Sequence, residues 1–170
     1  MDRDTLKMLK DNGGRSFPKW EDFPGVNLYM DQVTELVNKY MEKIAPPGAD
    51  AVITASMINN YVKSKLMPPP VKKRYSKLHL AYIIIICTLK QTFGVSSLEK
   101  ILPDEMGEED IKKFYDVFAL SCEAAYSKAL SDMEKLSDSC GDDTELFILR
   151  LMAEADVKKT IIESILVEKG

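Results

Sequence analysis

"ITASMINNYVKSKLMPPPVKKRYSKLHL", residues 53–80, is the stretch whose reading decides the fold. Thr54 stands where a helix cap belongs, because its hydroxyl can accept from an amide of the turn that follows. Met57, Ile58, Tyr61 and Val62 then recur at the three- and four-residue spacing of one buried face, which predicts a short helix to about residue 64. The three prolines at 68–70 remove amide donors and end any helical run, leaving a stiff extended connector with at most a short ribbon around it. Ser76 is placed to cap the next helix. The whole stretch holds six cations and no acid.

That imbalance is local. The chain of 170 residues carries 23 basic and 27 acidic side chains, a net charge of −4. Residues 51–98 hold 7 bases and no acid, whereas residues 99–170 hold 9 bases and 18 acids. A basic centre beside an acidic tail points to an anionic partner, nucleic acid or membrane surface, for the central segment. The competing reading is that the lysines only solvate an exposed face.

Working outward, residues 1–25 read as an N-terminal arm: a possible short helix, then "NGG", then Phe17, Trp20 and Phe23 as anchors. Asn27 is placed to cap a helix to about residue 44, with Val33, Leu36, Val37, Tyr40, Met41 and Ile44 on its buried side. "APPGAD" ends it. After the proline connector, a helix from Ser76 should run to about residue 93, with Gly94 as its left-handed stop. "SSLE", Ser96 to Glu99, has capping-box spacing for a short helix that Pro103 closes. Two long helices follow, over about 108–136 and 144–167, joined by "DSCGDD". The first bears a stripe that includes Ile111, Phe114, Tyr115, Phe118, Cys122, Tyr126, Ala129 and Met133. The second is apolar nearly all round, which predicts burial on two sides, the second side against another subunit. The expected organisation is an arm (1–25), a central domain (26–104) and a C-terminal helical hairpin (105–170) for dimerisation or ligand binding.

Several function classes find no support. The most apolar run, residues 78–89, is too short to span a bilayer, which needs roughly 20 apolar residues, and reads as a buried core helix. The charged N-terminus has no apolar leader, and Cys87, Cys122 and Cys140 make no C-x-x-C, so a cytoplasmic protein with reduced thiols is expected. Phosphate-loop, dinucleotide, zinc-protease and hydrolase motifs are absent. His79, the only histidine, is expected as a partly exposed helix residue with no ligand partners. Cys87 is expected as a small buried hydrophobe, and the Met and aromatic stripe as core packing. Neither an enzyme nor a cofactor or metal site is expected.

The residues of the basic stretch, with "LKQTFGVSSLEKIL" after it, resemble the DNA-binding part of MerR-type regulators. Ile53 and Thr54 match the start of that family's recognition helix, Ile58 and Tyr61 its apolar positions, and Leu66 with the prolines the start of its wing. Arg74 and Tyr75 match the close of the wing, and Gly94, Val95, Ser96, Leu98 and Ile101 the element beyond. Asn59 stands where the pattern has an arginine and Lys65 where it has a glycine, and the wing is short. "WEDFP" (residues 20–24), "LYMDQV" (28–33) and "MINNYVK" (57–63) resemble, over nearly the whole chain, the bacterial domain-of-unknown-function family DUF1836.

The resemblance implies an all-α fold with a winged helix-turn-helix-like centre, followed by the helical hairpin. It also implies double-stranded DNA as partner of a transcriptional regulator, and a homodimer through the C-terminal helices is expected. Candidate base-reading residues are Ser56, Asn59 and Asn60, since asparagine can pair bidentately with adenine. Candidate phosphate contacts are Lys63, Lys65, Lys72, Lys73, Arg74 and Lys77. The rival expectation is a helical protein-interaction module that keeps this fold without binding DNA.

Overall fold

A computed structural model describes residues 7, 9, 15–45, 53–102, 106–140 and 144–168, with backbone only for 136–140. Among these the chain is all-α. The elements are a 3-10 turn at Trp20–Asp22, then α1 (Met30–Ile44), α2 (Ala55–Lys63), α3 (Lys77–Leu89), α4 (Val95–Ile101), α5 (Glu108–Cys140) and α6 (Thr144–Glu168). Two isolated antiparallel bridges, Leu28 with Tyr75 and Val71 with Arg74, form the short ribbon beside the prolines. No described helix is long and apolar enough to cross a membrane. The chain divides into two compact units, residues 15–121 and residues 1–14 with 122–170.

In the first unit α3 is the core. Every residue from His79 to Thr88 is buried, so the helix is enclosed round its whole circumference, as its uninterrupted "AYIIIIC" requires. Helix α1 packs on α3 and on α2, burying Val33, Val37, Met41 and Ile44. The arm anchors as expected: Phe17, Trp20 and Phe23 are buried. Phe23 lies 5.2 Å from the Tyr115 ring and Phe17 5.5 Å from Phe118, and the Tyr115 hydroxyl donates to the Pro18 carbonyl at 2.7 Å. The guanidinium of Arg15 donates to the Ile44 carbonyl, a cation at the negative end of α1.

In the second unit Met133 packs against Phe147, with Leu9, Leu130 and Leu151 around them, and the Tyr126 hydroxyl donates to the Leu9 carbonyl. Met133 of α5 and Phe147 of α6 thus bury each other. Phe114 and Cys122 are only half-buried and Ala129 is exposed, so the expected stripe is partial. Along α6, Phe147 and Leu166 are buried while most other large apolar side chains face solvent.

Several local expectations are corrected. Asn27 does not cap α1: the cap is Tyr29, whose amide donates to Gln32 Oε1 at 2.9 Å. Helix α3 stops at Leu89, not near residue 93, and Gly94 has φ −66°, so it is no left-handed stop but the N-cap of α4. Ser96 therefore lies inside the first turn of α4, and the Ser96–Glu99 capping box does not form. The expected stops over residues 46–50, at Pro103 and within 141–143 lie outside the described residues, as does most of the first short helix.

The start of α2 is fixed by one side chain. Asn38 of α1 accepts from the Ile53 amide through Oδ1 at 2.7 Å and donates to the Ile53 carbonyl through Nδ2 at 3.2 Å. Asn38→Ala removes both bonds beside a buried residue. It should lower the unfolding free energy by about 2 kcal/mol in urea titration, with Asn38→Asp losing less because its oxygen still accepts.

Candidate functional site

Helix α2 is built as its sequence dictates. Thr54 Oγ1 accepts from the Met57 amide at 3.3 Å, the predicted cap. Ile58 and Tyr61 are buried and Met57 and Val62 half-buried, so the opposite face is set. That face presents Ser56, Asn59, Asn60 and Lys63, all exposed, at the i, i+3, i+4, i+7 spacing that aligns side chains along one side of a helix. The candidate base readers and one candidate phosphate contact thus lie side by side.

The helix is clamped from below. Lys90 Nζ donates to the Tyr61 hydroxyl at 2.9 Å, with the ammonium 5.7 Å from the Tyr61 ring centroid. Burial pushes the Tyr61 phenol above its ordinary value, with Cys87 adding to the effect. Cys87 is a buried hydrophobe, as expected, and burial raises its thiol too, so it is held as the neutral thiol.

At the end of α2 the Lys65 amide donates to the Val62 carbonyl and the Leu66 amide to the Tyr61 carbonyl, the paired bonds of a Schellman motif. The position that such a motif gives to glycine is Lys65, with φ 56°. Leu66 and Met67 then bury, and the prolines lead to the Val71–Arg74 bridge. Between its ends lie Lys72 and Lys73, with φ 49° and 61°, and the Arg74 amide donates to the Val71 carbonyl at 3.0 Å. Two successive left-handed residues closing a two-residue hairpin are the pattern of a type I′ turn, where Asn-Gly is the favoured pair. Among the described residues, the non-glycine positions with positive φ are these three lysines.

Lys63, Lys65, Lys72, Lys73 and Arg74 are exposed, and none has a carboxylate within ion-pair distance among the described residues. Arg74 is aimed by a residue that sequence reasoning missed. Its Nη2 donates to the Tyr29 hydroxyl at 2.7 Å, and the guanidinium lies 4.6 Å from the Tyr29 ring centroid. Tyr29 is half-exposed and 45 residues away in sequence; no local signal could have linked the two. Lys77 differs from the rest. It is half-buried, and its ammonium donates to the Trp20 carbonyl at 3.1 Å.

His79 is the main correction here: it is buried, not partly exposed. Its Nδ1 accepts from the Ser76 amide at 3.0 Å and its Nε2 donates to the Pro69 carbonyl at 3.3 Å, with the Tyr75 ring edge-on at 5.4 Å. It takes the part that Glu or Gln plays in a capping box and ties the proline connector to α3. No group of three or more metal-ligating side chains occurs among the described residues.

The chain matches the model of the family described as a domain of unknown function, DUF1836, over residues 18–118. It belongs to that family. The match covers α1 to α4, the basic hairpin and the first turns of α5. No curated protein and no solved structure matches the chain.

Two outcomes follow from this geometry. Replacing Lys72 and Lys73 by Asn and Gly relieves two left-handed lysines, each costing on the order of 1 kcal/mol. Part of the gain is lost to the greater freedom of glycine in the unfolded chain, so the double variant should be more stable by about 1 kcal/mol in urea titration. Burial depresses the His79 pKa below its ordinary 6.5, against the bond to Pro69. The unfolded chain then binds more protons than the native one just below pH 6.5, so stability is full above that pH and falls as pH drops toward the folded value. His79→Gln, which keeps an acceptor for Ser76, should remove that step from the pH dependence of the urea midpoint.

Proposed function

We propose that this protein is a non-enzymatic, sequence-specific DNA-binding regulator that reads a duplex with α2 and grips its phosphates with the Lys72–Arg74 turn. The observation that carries this reading is the outward face of α2: Ser56, Asn59, Asn60 and Lys63 in one line, free of carboxylates and next in sequence to lysines held in left-handed turns. A helix displaying amide side chains suits the major groove, where asparagine pairs bidentately with adenine. Unpaired cations supply the sequence-independent part of the affinity through release of counterions. The order α1, α2, extended connector, two-residue hairpin, α3 supports a winged helix-turn-helix-like arrangement of the MerR type, with the hairpin as a minimal wing.

In this reading Lys63, Lys65, Lys72, Lys73 and Arg74 contact phosphate, Tyr29 orients Arg74, and Lys77 contributes with the donors that Trp20 leaves free. Strained backbone is retained where function uses it, and a turn that keeps two lysines in place of Asn-Gly fits that pattern.

The test is electrophoretic mobility shift on the region upstream of the protein's own gene. The Lys72→Ala, Lys73→Ala, Arg74→Ala triple variant should bind more weakly on every sequence, and its slope of log affinity against log salt should be shallower by about 3. Asn59→Ala or Asn60→Ala should cost about 1–3 kcal/mol on the preferred site and little on random DNA. Equal retardation by the parent and triple variants, or none by either, would overturn the assignment.

A further inference from the structure

The ribbon beside the prolines has two faces. Leu28 and Tyr75 form the inner one: each donates its amide to the other's carbonyl at 2.8 Å, and both side chains are buried. In an antiparallel ladder the pair next to such a doubly bonded one has no backbone bonds of its own, and its side chains lie closer together, on the opposite face. Here that pair is Tyr29 with Arg74. On its other side Arg74 is bridged to Val71 across the two-residue turn, so Val71, Arg74 and Tyr29 stand in a row on the outer face. Val71 is 69% exposed and Tyr29 49%. The row sets one cation between an aliphatic and an aromatic neighbour and contains no acid.

This row has donors to spare. Arg74 Nη2 donates to the Tyr29 hydroxyl at 2.7 Å, so that oxygen is an acceptor and its own proton is left for another partner. Among the described residues nothing takes that proton, and nothing takes the remaining N–H groups of the guanidinium. Asp31, the acid nearest Tyr29 in sequence, makes no ion pair with Arg74. The guanidinium lies over the Tyr29 ring, 4.6 Å from its centroid, which restrains the plane of its fork. Nη2 and the phenolic oxygen are spaced much as two oxygens of one tetrahedral phosphate are. A restrained fork with a phenolic proton beside it suits an oxyanion that accepts several hydrogen bonds at once.

We propose that Tyr29 is itself a phosphate ligand, its hydroxyl and the Arg74 guanidinium together taking the oxygens of one phosphodiester group of the duplex. This rests on the DNA-binding reading and extends it, because Tyr29 then touches the nucleic acid as well as orienting Arg74. A tyrosine that acted only through Arg74 would lose its influence once Arg74 is gone, whereas a ligand keeps it.

The test is a mobility-shift titration on the region upstream of the protein's own gene, with parent, Tyr29→Phe, Arg74→Ala and the double variant. Phenylalanine keeps the ring under the guanidinium and the backbone amide that caps α1, so the urea midpoint should stay at the parent value. Tyr29→Phe should weaken binding by at least about tenfold, the loss of a hydrogen bond to a charged acceptor. Its slope of log affinity against log salt should match the parent's, since no charge is removed, while Arg74→Ala should be shallower by about 1. The double variant should bind at least about threefold more weakly than Arg74→Ala alone. A retarded parent with Tyr29→Phe equal to it, or a double variant equal to Arg74→Ala, would overturn this assignment and leave DNA binding standing. No retardation of the parent would overturn both.

Discussion

The enclosure of α3 on every side is the constraint on which the first unit depends. A helix that is apolar round its circumference has no solvent face, so other elements, α1 among them, have to cover it. Its two ends then become fixed points. At the N-terminal end His79 holds the Ser76 amide and the Pro69 carbonyl together. Just past the C-terminal end Lys90 holds the hydroxyl of Tyr61 of α2. The candidate reading helix and the basic hairpin are thus positioned by opposite ends of one buried rod.

That anchoring explains how the turns tolerate their lysines. Each left-handed lysine costs on the order of 1 kcal/mol relative to a residue suited to that region. Lys65 is flanked by Tyr61 and by Leu66 and Met67, all buried, and the hairpin is closed by Tyr75, buried and bridged to Leu28. With the flanks over-determined, the positions between them can carry whatever side chain the surface requires. The result is a set of cations with no carboxylate beside them, in a chain whose acids are gathered elsewhere.

The two units spend their apolar residues differently. Residues 15–121 bury a full core, with aromatic anchors from the arm closing over Tyr115. Helices α5 and α6 bury a small cluster, Met133 with Phe147, and leave aliphatic side chains in water. The family match ends at residue 118, near the division between the units. The part that the family defines is the part with a self-sufficient core.

Periodicity and punctuation were enough to set the helical class, the Thr54 cap, the order of α1 to α6 and the burial of residues 80–88, because these follow from spacing along a single helix. The line of Ser56, Asn59, Asn60 and Lys63 is legible for the same reason. Caps were less legible: Tyr29 with Gln32, and His79 in place of an acid, are chosen by which side chain reaches an orphan amide, not by residue type alone. Tertiary structure alone decided the Tyr29–Arg74 pair, the Asn38 bridge to Ile53, the withdrawal of Lys77 toward Trp20 and the burial of His79. Each of these joins residues distant in sequence or depends on what covers a surface. Local spacing is written in the chain, whereas proximity between elements exists only after the core has closed.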